Sequence, residues 1–241
     1  MSRPPSPFRF KKFAVSHHRS AMKVGVDGVL IGCWASVEGA GSILDVGAGC
    51  GVISLIMAQR APRARIVGIE VDVASATEAM ENVMASPWPD RVSVIEGSFP
   101  DDLTGTRFDL IVSNPPYFDS GVRDAVTPRE IARHQGALSP SVILGAAPRF
   151  LNQGGSVAMV VPLEVSPAVI KVASDAGFTL VRRCLVRGHA SAPFKRVLLQ
   201  WRLQEGSPAG ETEETSLTLE ETPGHPTEDY RLLCRDFYLK F

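Results

Sequence analysis

The sequence is short of the features that would place the protein in a membrane, in a secreted compartment or around a metal. It contains no run of about 18 apolar residues, so no membrane-spanning helix is expected. Met1 to Phe13 is basic and has no apolar stretch of the kind a secretory signal needs. Only four cysteines occur: Cys33, Cys50, Cys184 and Cys234. None forms a CxxC pair or stands at zinc-ligand spacing from a histidine, so no metal is expected and reduced thiols in a cytoplasmic protein are the simplest reading. An excess of either charge is also missing. The 25 Lys and Arg against 26 Asp and Glu leave −1, a balance that taken alone speaks against a polyanionic partner. What is present is 241 residues at 44% hydrophobic, which excludes global disorder and suffices for one large domain with a real core.

The charge is unevenly spread. Residues 1–26 hold Arg3, Arg9, Lys11, Lys12, Arg19 and Lys23 and no acid before Asp27. Residues 182–202 hold Arg182, Arg183, Arg187, Lys195, Arg196 and Arg202, again with no acid. Residues 203–229 hold eight acids and no base, and without them the net charge of −1 becomes +7. Each cluster alone reads equally well as a solvated face. Two acid-free basic segments in one chain point towards a polyanion such as nucleic acid.

From Ile43 onward short apolar runs alternate with amphipathic stretches. Strands are expected at 42–46, 65–70, 91–96, 108–113, 156–161, 178–186 and 197–203, and helices at 50–60, 73–85, 141–150 and 167–176. This alternation predicts an α/β fold with a mostly parallel, doubly wound sheet of seven strands and helices on both faces. The last two strands are joined by a short Gly/Ala/Pro loop, which suits an antiparallel hairpin. The expected organisation is a Pro/Ser/Arg-rich disordered tail over 1–9 and one domain over 10–203. Residues 227–241 pack back onto that domain, and the acidic, Pro/Glu/Thr-rich stretch 204–226 serves as insertion or linker.

Two loops carry the chemistry. Asp45-Val-Gly-Ala-Gly-Cys-Gly51 follows the first strand and opens a helix. Its glycines let the backbone turn sharply and approach a ligand at the carboxyl edge of the sheet. The spacing is GxGxG; the dinucleotide pattern GxGxxG would need glycine where Val52 stands. Glu70 ends the second strand, where an acid can accept hydrogen bonds from both hydroxyls of a ribose. The fourth strand ends in Asn114-Pro115-Pro116-Tyr117. Two prolines stiffen the backbone, so the Asn114 side-chain carbonyl and the Pro115 carbonyl become a fixed pair of acceptors, matched to the two N–H donors of an amino group. Tyr117 offers a face on which a planar ring can stack. A methyl transfer to such a nitrogen needs positioning in line with the methyl donor and no protein nucleophile.

With these motifs the chain resembles the class I S-adenosylmethionine-dependent methyltransferases of the amino-group type. It most closely resembles the bacterial tRNA (adenine-N6)-methyltransferases that modify adenosine 37 of a valine tRNA. The resemblance also rests on Phe10 to Leu30 (FKKFAVSHHRSAMKVGVDGVL), on Ser86-Pro-Trp88, on Ala132-Arg133 and on Asp236-Phe-Tyr-Leu239. It implies a Rossmann-like class I methyltransferase fold, and S-adenosylmethionine as cofactor with S-adenosylhomocysteine as product. Lys23 to Asp27 would line the cofactor pocket, Asp45, Gly47, Gly49 and Gly51 would hold the methionine part and Glu70 the ribose. Val71, Ser98, Phe99 and Asn114 would complete the wall, and Asn114 to Tyr117 would hold the target adenine. Two positions depart from the family pattern: Ser98 stands where an Asp would meet the cofactor's adenine, and Val26 where Thr is usual.

The loop between Phe118 and Leu138 holds Arg123, Arg129, Arg133 and His134. Loops of this length are functional or mobile, and cations beside a base pocket would contact RNA phosphates. Lys11, Lys12 and Arg19 are further candidates for that role. His134 reads as a surface or packing residue, and Trp34, Trp88 and Trp201 as core. The expected activity is N6-methylation of an adenosine in tRNA, a base that must leave its stack to react. The alternatives are amino-group methylation of rRNA guanine, DNA adenine or protein glutamine, or RNA binding without catalysis. Oligomeric state is left open.

Overall fold

The computed structural model describes residues 6–116, 138–204 and 210–241. Tyr117, Arg123, Arg129, Arg133 and His134, singled out above, lie outside them. So does most of the expected tail, although Phe8–Arg9 (β1) already pairs with Ala14–Val15 (β2) as a small antiparallel sheet.

The apolar runs form the centre. Ser42–Val46 (β3), Arg65–Glu70 (β4), Val92–Glu96 (β5), Phe108–Ser113 (β6) and Leu151–Pro162 (β7) pair in parallel. Phe178–His189 (β8) and Arg196–Leu203 (β9) form the expected antiparallel pair, with β9 inserted between β7 and β8 and antiparallel to both. Within these strands adjacent residues face opposite sides, and in the central strands β3, β6, β7 and β9 both sides are buried. Ile43, Leu110 and Val160 belong to one core; Leu44, Ile111 and Met159 belong to the other. Such two-sided burial explains why these strands read as continuous apolar runs.

Two corrections follow. The sheet has nine strands, in the order β11-β10-β8-β9-β7-β6-β3-β4-β5. The additional members are Glu213–Thr222 (β10), parallel to β8, and the short His225–Pro226 (β11). Much of the stretch expected to be an insertion or linker is therefore part of the sheet. Its composition conceals this because β10 lies near the sheet edge and buries little: Leu217 is in the core and Leu219 packs against it, two residues apart among exposed Glu and Thr. The strand also answers the basic cluster beside it. Glu213 pairs with Arg182 at 2.9 Å and Glu214 with Arg183 at 3.5 Å, so those cations serve the sheet.

Helices cover both faces. Val26–Trp34 (α1), Val52–Arg60 (α2) and Val73–Met84 (α3) pack on one side, joined by Glu228–Cys234 (α6). Pro140–Phe150 (α4) and Ser166–Asp175 (α5) pack on the other. Asp72, Ser139 and Thr227 cap α3, α4 and α6 by accepting backbone N–H groups. The sequence pattern does not predict α1. Its residues are apolar all round and include Gly28 and Gly32, so it shows neither amphipathic period nor good propensity. Close packing explains both: a Cβ on Gly32 would stand 2.9 Å from Ile56 of α2. Among the described residues no helix is long and apolar enough to cross a membrane.

The strand order reverses at β3, which has β4 on one side and β6 on the other. In open α/β sheets ligands bind at such a switch point, outside the carboxyl ends of the strands.

Candidate active site

A cavity of about 670 Å³ opens at that switch point. This is the size range of sites for small organic ligands. Its wall gathers Lys23 and Asp27 from the segment before and into α1, Gly47 and Gly49 after β3, Glu70 and Val71 at the end of β4, Ser98 and Phe99 after β5, and Asn114 and Pro116 after β6. Apart from Lys23 and Asp27, residues distant in sequence thus meet because each lies at the carboxyl end of a neighbouring parallel strand. Pro115 is buried behind Asn114 and Pro116.

The glycine loop adopts a backbone that only glycine takes without strain. Gly47, Gly49 and Gly51 have φ of 72°, 54° and 81°. Their surroundings differ. A Cβ on Gly47 would stand 2.7 Å from Leu138 Cδ2, one on Gly51 would touch Ala79, and one on Gly49 would meet no atom within 4 Å. Gly51 starts α2 and does not face the cavity. Glu70 accepts the Gly49 N–H at 2.8 Å and the Asp72 N–H at 2.9 Å, so its carboxylate fixes the loop from across the cleft.

Asp45 lies beneath the loop and is fully buried. One carboxylate oxygen, Oδ2, accepts the Ser54 N–H at 2.9 Å and the Ser54 hydroxyl at 2.7 Å; the other, Oδ1, has no partner among the described residues. Burial pushes the carboxyl up to about 7, opposed by the two Ser54 hydrogen bonds. A buried acid with one orphaned oxygen is costly in the protein by itself.

Several residues of the site escape a reading of the sequence. Arg196, at the start of β9, lines the cavity and pairs with Asp27 at 2.9 Å. Ala21 and Met22 contribute apolar wall beside the expected Val26, and Leu138 closes over Gly47. Arg196 leaves no sign in the sequence beyond its place in a basic cluster, because its partner is 169 positions away.

The basic residues assigned to RNA divide. Lys11 donates to the carbonyls of Arg235 and Phe241, and the Asp236 carbonyl accepts in turn from Gln59 near the end of α2. The cavity lies at the beginning of α2, so Lys11 and its neighbour Lys12 are not brought to it. Arg19 donates to Glu81 and stands 3.8 Å from Glu78, both on α3. Lys23 lines the cavity but donates to the carbonyls of His17 and His18 at 2.8 and 3.2 Å. Ser98 lines it too, with its N–H bonded to Asp102 at 2.8 Å.

Comparison with known proteins agrees with this geometry. Residues 29–169 match the family model of the methyltransferase small domain. Proteins named tRNA1(Val) (adenine(37)-N6)-methyltransferase align along nearly the whole chain. The one from Aeromonas hydrophila is 41% identical and covers 98% of each chain; the one from Bacteroides thetaiotaomicron is 39% identical and covers 96% of this chain and 97% of the relative. Among solved structures, a predicted O-methyltransferase from Agrobacterium tumefaciens superposes with a TM-score of 0.64 at 17% identity, over 88% of this chain and 96% of that one. A methyltransferase from Pyrococcus furiosus gives 0.53 at 19%, over 71% and 79%. At such identities the structures bear on the fold, which is that of the class I S-adenosylmethionine-dependent methyltransferases. By its domain and by its full-length relatives, the chain belongs to the methyltransferase small domain family and, within it, to the tRNA1(Val) (adenine(37)-N6)-methyltransferase family.

Proposed function

We propose that the protein methylates N6 of adenosine 37 in a valine tRNA, using S-adenosylmethionine bound in the cavity at the sheet's switch point. The observation that carries this reading is the meeting, in one cavity, of the glycine loop and Glu70 with Asn114 and Pro116. The full-length relatives' names supply the tRNA and the position of the adenosine.

The residues present fit the cofactor. Space is open above Gly49, Glu70 stands where a ribose needs an acceptor, and the apolar side chains of Val71 and Phe99 suit an adenine ring. Gly47 and Gly49 would hold the methionine part, with Asp45 beneath them and Gly51 turning the loop into α2; Glu70 would hold the ribose, and Val71, Ser98 and Phe99 the adenine, with Lys23 and Asp27 closing the opposite side. The partnerless oxygen of Asp45 suits a cationic group at the methionine end. When bound, S-adenosylmethionine supplies a methyl group on a sulfonium and departs as S-adenosylhomocysteine.

Asn114 and Pro115 serve the other substrate. Two acceptors fixed by consecutive prolines draw both N–H bonds of the adenine amino group, orient its lone pair and favour its change of geometry as the N–C bond forms. The amino group then loses a proton, and no side chain need remove it beforehand. Tyr117 would stack on the adenine, and Arg123, Arg129 and Arg133 would hold neighbouring phosphates. A tRNA substrate suits a cytoplasmic enzyme.

The test is product identity. Labelled S-adenosylmethionine is incubated with the protein and total RNA, total DNA or protein, and the labelled product is digested and identified. N6-methyladenosine in tRNA supports the proposal; methylguanosine or methylglutamine refutes it.

A further inference from the structure

α3 flanks the cavity and carries two polar side chains that methyl transfer does not use. Glu78 is fully buried. Its carboxylate accepts the backbone N–H groups of His18, Arg19 and Ser20 at 2.9, 3.1 and 2.9 Å, and the Ser20 hydroxyl at 2.7 Å. His18 Nδ1 stands 3.0 Å away. One helical turn on, Asn82 accepts the Ser16 N–H and donates to the carbonyls of Ser16 and Cys50, the latter in the glycine loop. The segment also closes on itself, with the Val24 N–H donating to His17 Nδ1 at 2.8 Å. Residues 16–24 are therefore a strap laid along α3, leading up to the cavity, where Ala21, Met22 and Lys23 form part of the wall.

Three successive N–H groups converging on one anion make a nest, the arrangement that usually binds a free anion. Here the protein fills it with its own carboxylate. Burial pushes the Glu78 carboxyl up, but the hydrogen bonds from Ser20, Arg19 and His18 outweigh it and hold the group below the usual range, so the anchor stays charged.

We propose that Glu78 is a positioning residue for the cofactor. By clamping residues 16–24 onto α3 it places the wall formed by Ala21 to Asp27, and so sets the affinity for S-adenosylmethionine without touching it or the target base. This rests on the cavity being the S-adenosylmethionine site.

The test compares Glu78→Gln, Glu78→Ala and Ser20→Ala with Asp109→Ala. Asp109 anchors Gly41, Ser42 and Asn152 in a similar way, but at the amino edge of the sheet. S-adenosylhomocysteine binding is measured by calorimetry, amide exchange over residues 16–24 in the free protein, and kcat and KM with tRNA. Glu78→Ala should speed exchange at residues 18–20, weaken binding and raise KM for S-adenosylmethionine about tenfold or more, and leave kcat at saturation within about threefold. Glu78→Gln keeps an acceptor oxygen and should fall between wild type and Glu78→Ala. Ser20→Ala should show a smaller change in the same direction. Asp109→Ala should lower the melting temperature and leave affinity unchanged. Normal affinity in Glu78→Gln despite faster strap exchange, or an equal loss of affinity in Asp109→Ala, overturns the proposal. Failure of the wild-type protein to bind S-adenosylhomocysteine overturns instead the reading of the cavity, and with it this role.

Discussion

Asp45→Asn should make the free protein gain stability relative to wild type as pH rises from 4 to 8, and make it a poorer binder of cofactor. The magnitude follows from burial. The Asp45 carboxyl moves from 3.8 to about 7 in the folded protein, and each pH unit of that difference corresponds to about 1.4 kcal/mol. Below about pH 4 both folded and unfolded chains hold the proton, and Asp45 costs nothing through ionisation. Between about pH 4 and 7 the unfolded chain releases it while the folded chain keeps it, so the folded state binds more protons and stability falls as pH rises. Above pH 7 the whole difference, about 4 kcal/mol, has been lost. The asparagine side chain cannot ionise. Its amide carbonyl can still accept from Ser54, and its amide nitrogen takes the place of an oxygen that has no partner. Whatever fixed offset that introduces does not vary with pH. The stability of the variant relative to wild type should therefore climb by about 4 kcal/mol between pH 4 and 8, about 8–16 °C in melting temperature for a chain of this size. Melting curves of both proteins across that range, without ligand, read the slope directly. A difference that stays flat would refute the claim that Asp45 is a desolvated acid. Added S-adenosylhomocysteine should protect wild type more than the variant, a trade of stability for function at one carboxylate.

Three further substitutions separate the parts of the structure. Asn114→Ala should leave S-adenosylhomocysteine binding within about threefold and lower transfer about 10²–10³-fold, as for loss of one oriented hydrogen-bonding group at a reacting centre; near-normal transfer in a radiolabel assay would refute its role. Gly47→Ala forces a side chain into φ of 72° and to within 2.7 Å of Leu138 Cδ2, and should cost about 1–3 kcal/mol by denaturant titration together with cofactor affinity. Leu217→Ala should cost about 2 kcal/mol if Glu213–Thr222 is a packed strand; an unchanged midpoint would return the segment to a linker.

Much of the fold was legible because the central strands bury both faces and so write themselves as apolar runs between glycine and proline punctuation. The cavity's ends were legible for a related reason: in a parallel sheet each strand delivers its following loop to one edge, so Asp45 to Gly51, Glu70 and Asn114 could be placed at that edge from their positions at the strands' carboxyl ends. What the residues hid was of three kinds. α1 is apolar on every side and glycine-bearing, and only its contact with Ile56 explains it. β10 buries Leu217 among glutamates, at an edge where composition follows solvent rather than core. Long-range polar pairs such as Arg196 with Asp27, or Glu78 with residues 18–20, leave no local pattern at all. The same blindness affected the charges. The overall balance of −1 concealed two basic clusters, and the structure divides them further: Arg182 and Arg183 serve β10, and Arg19 serves α3, while Lys12 stays exposed.

The central claim is that this cavity joins S-adenosylmethionine to the amino group of one adenosine. It is tested most directly by incubating the wild-type protein and labelled S-adenosylmethionine with two transcripts of the valine tRNA, one unaltered and one with guanosine in place of adenosine 37. Label recovered as N6-methyladenosine from the first transcript, and none from the second, is the predicted result; equal labelling of both, or label in any other nucleoside, would contradict it.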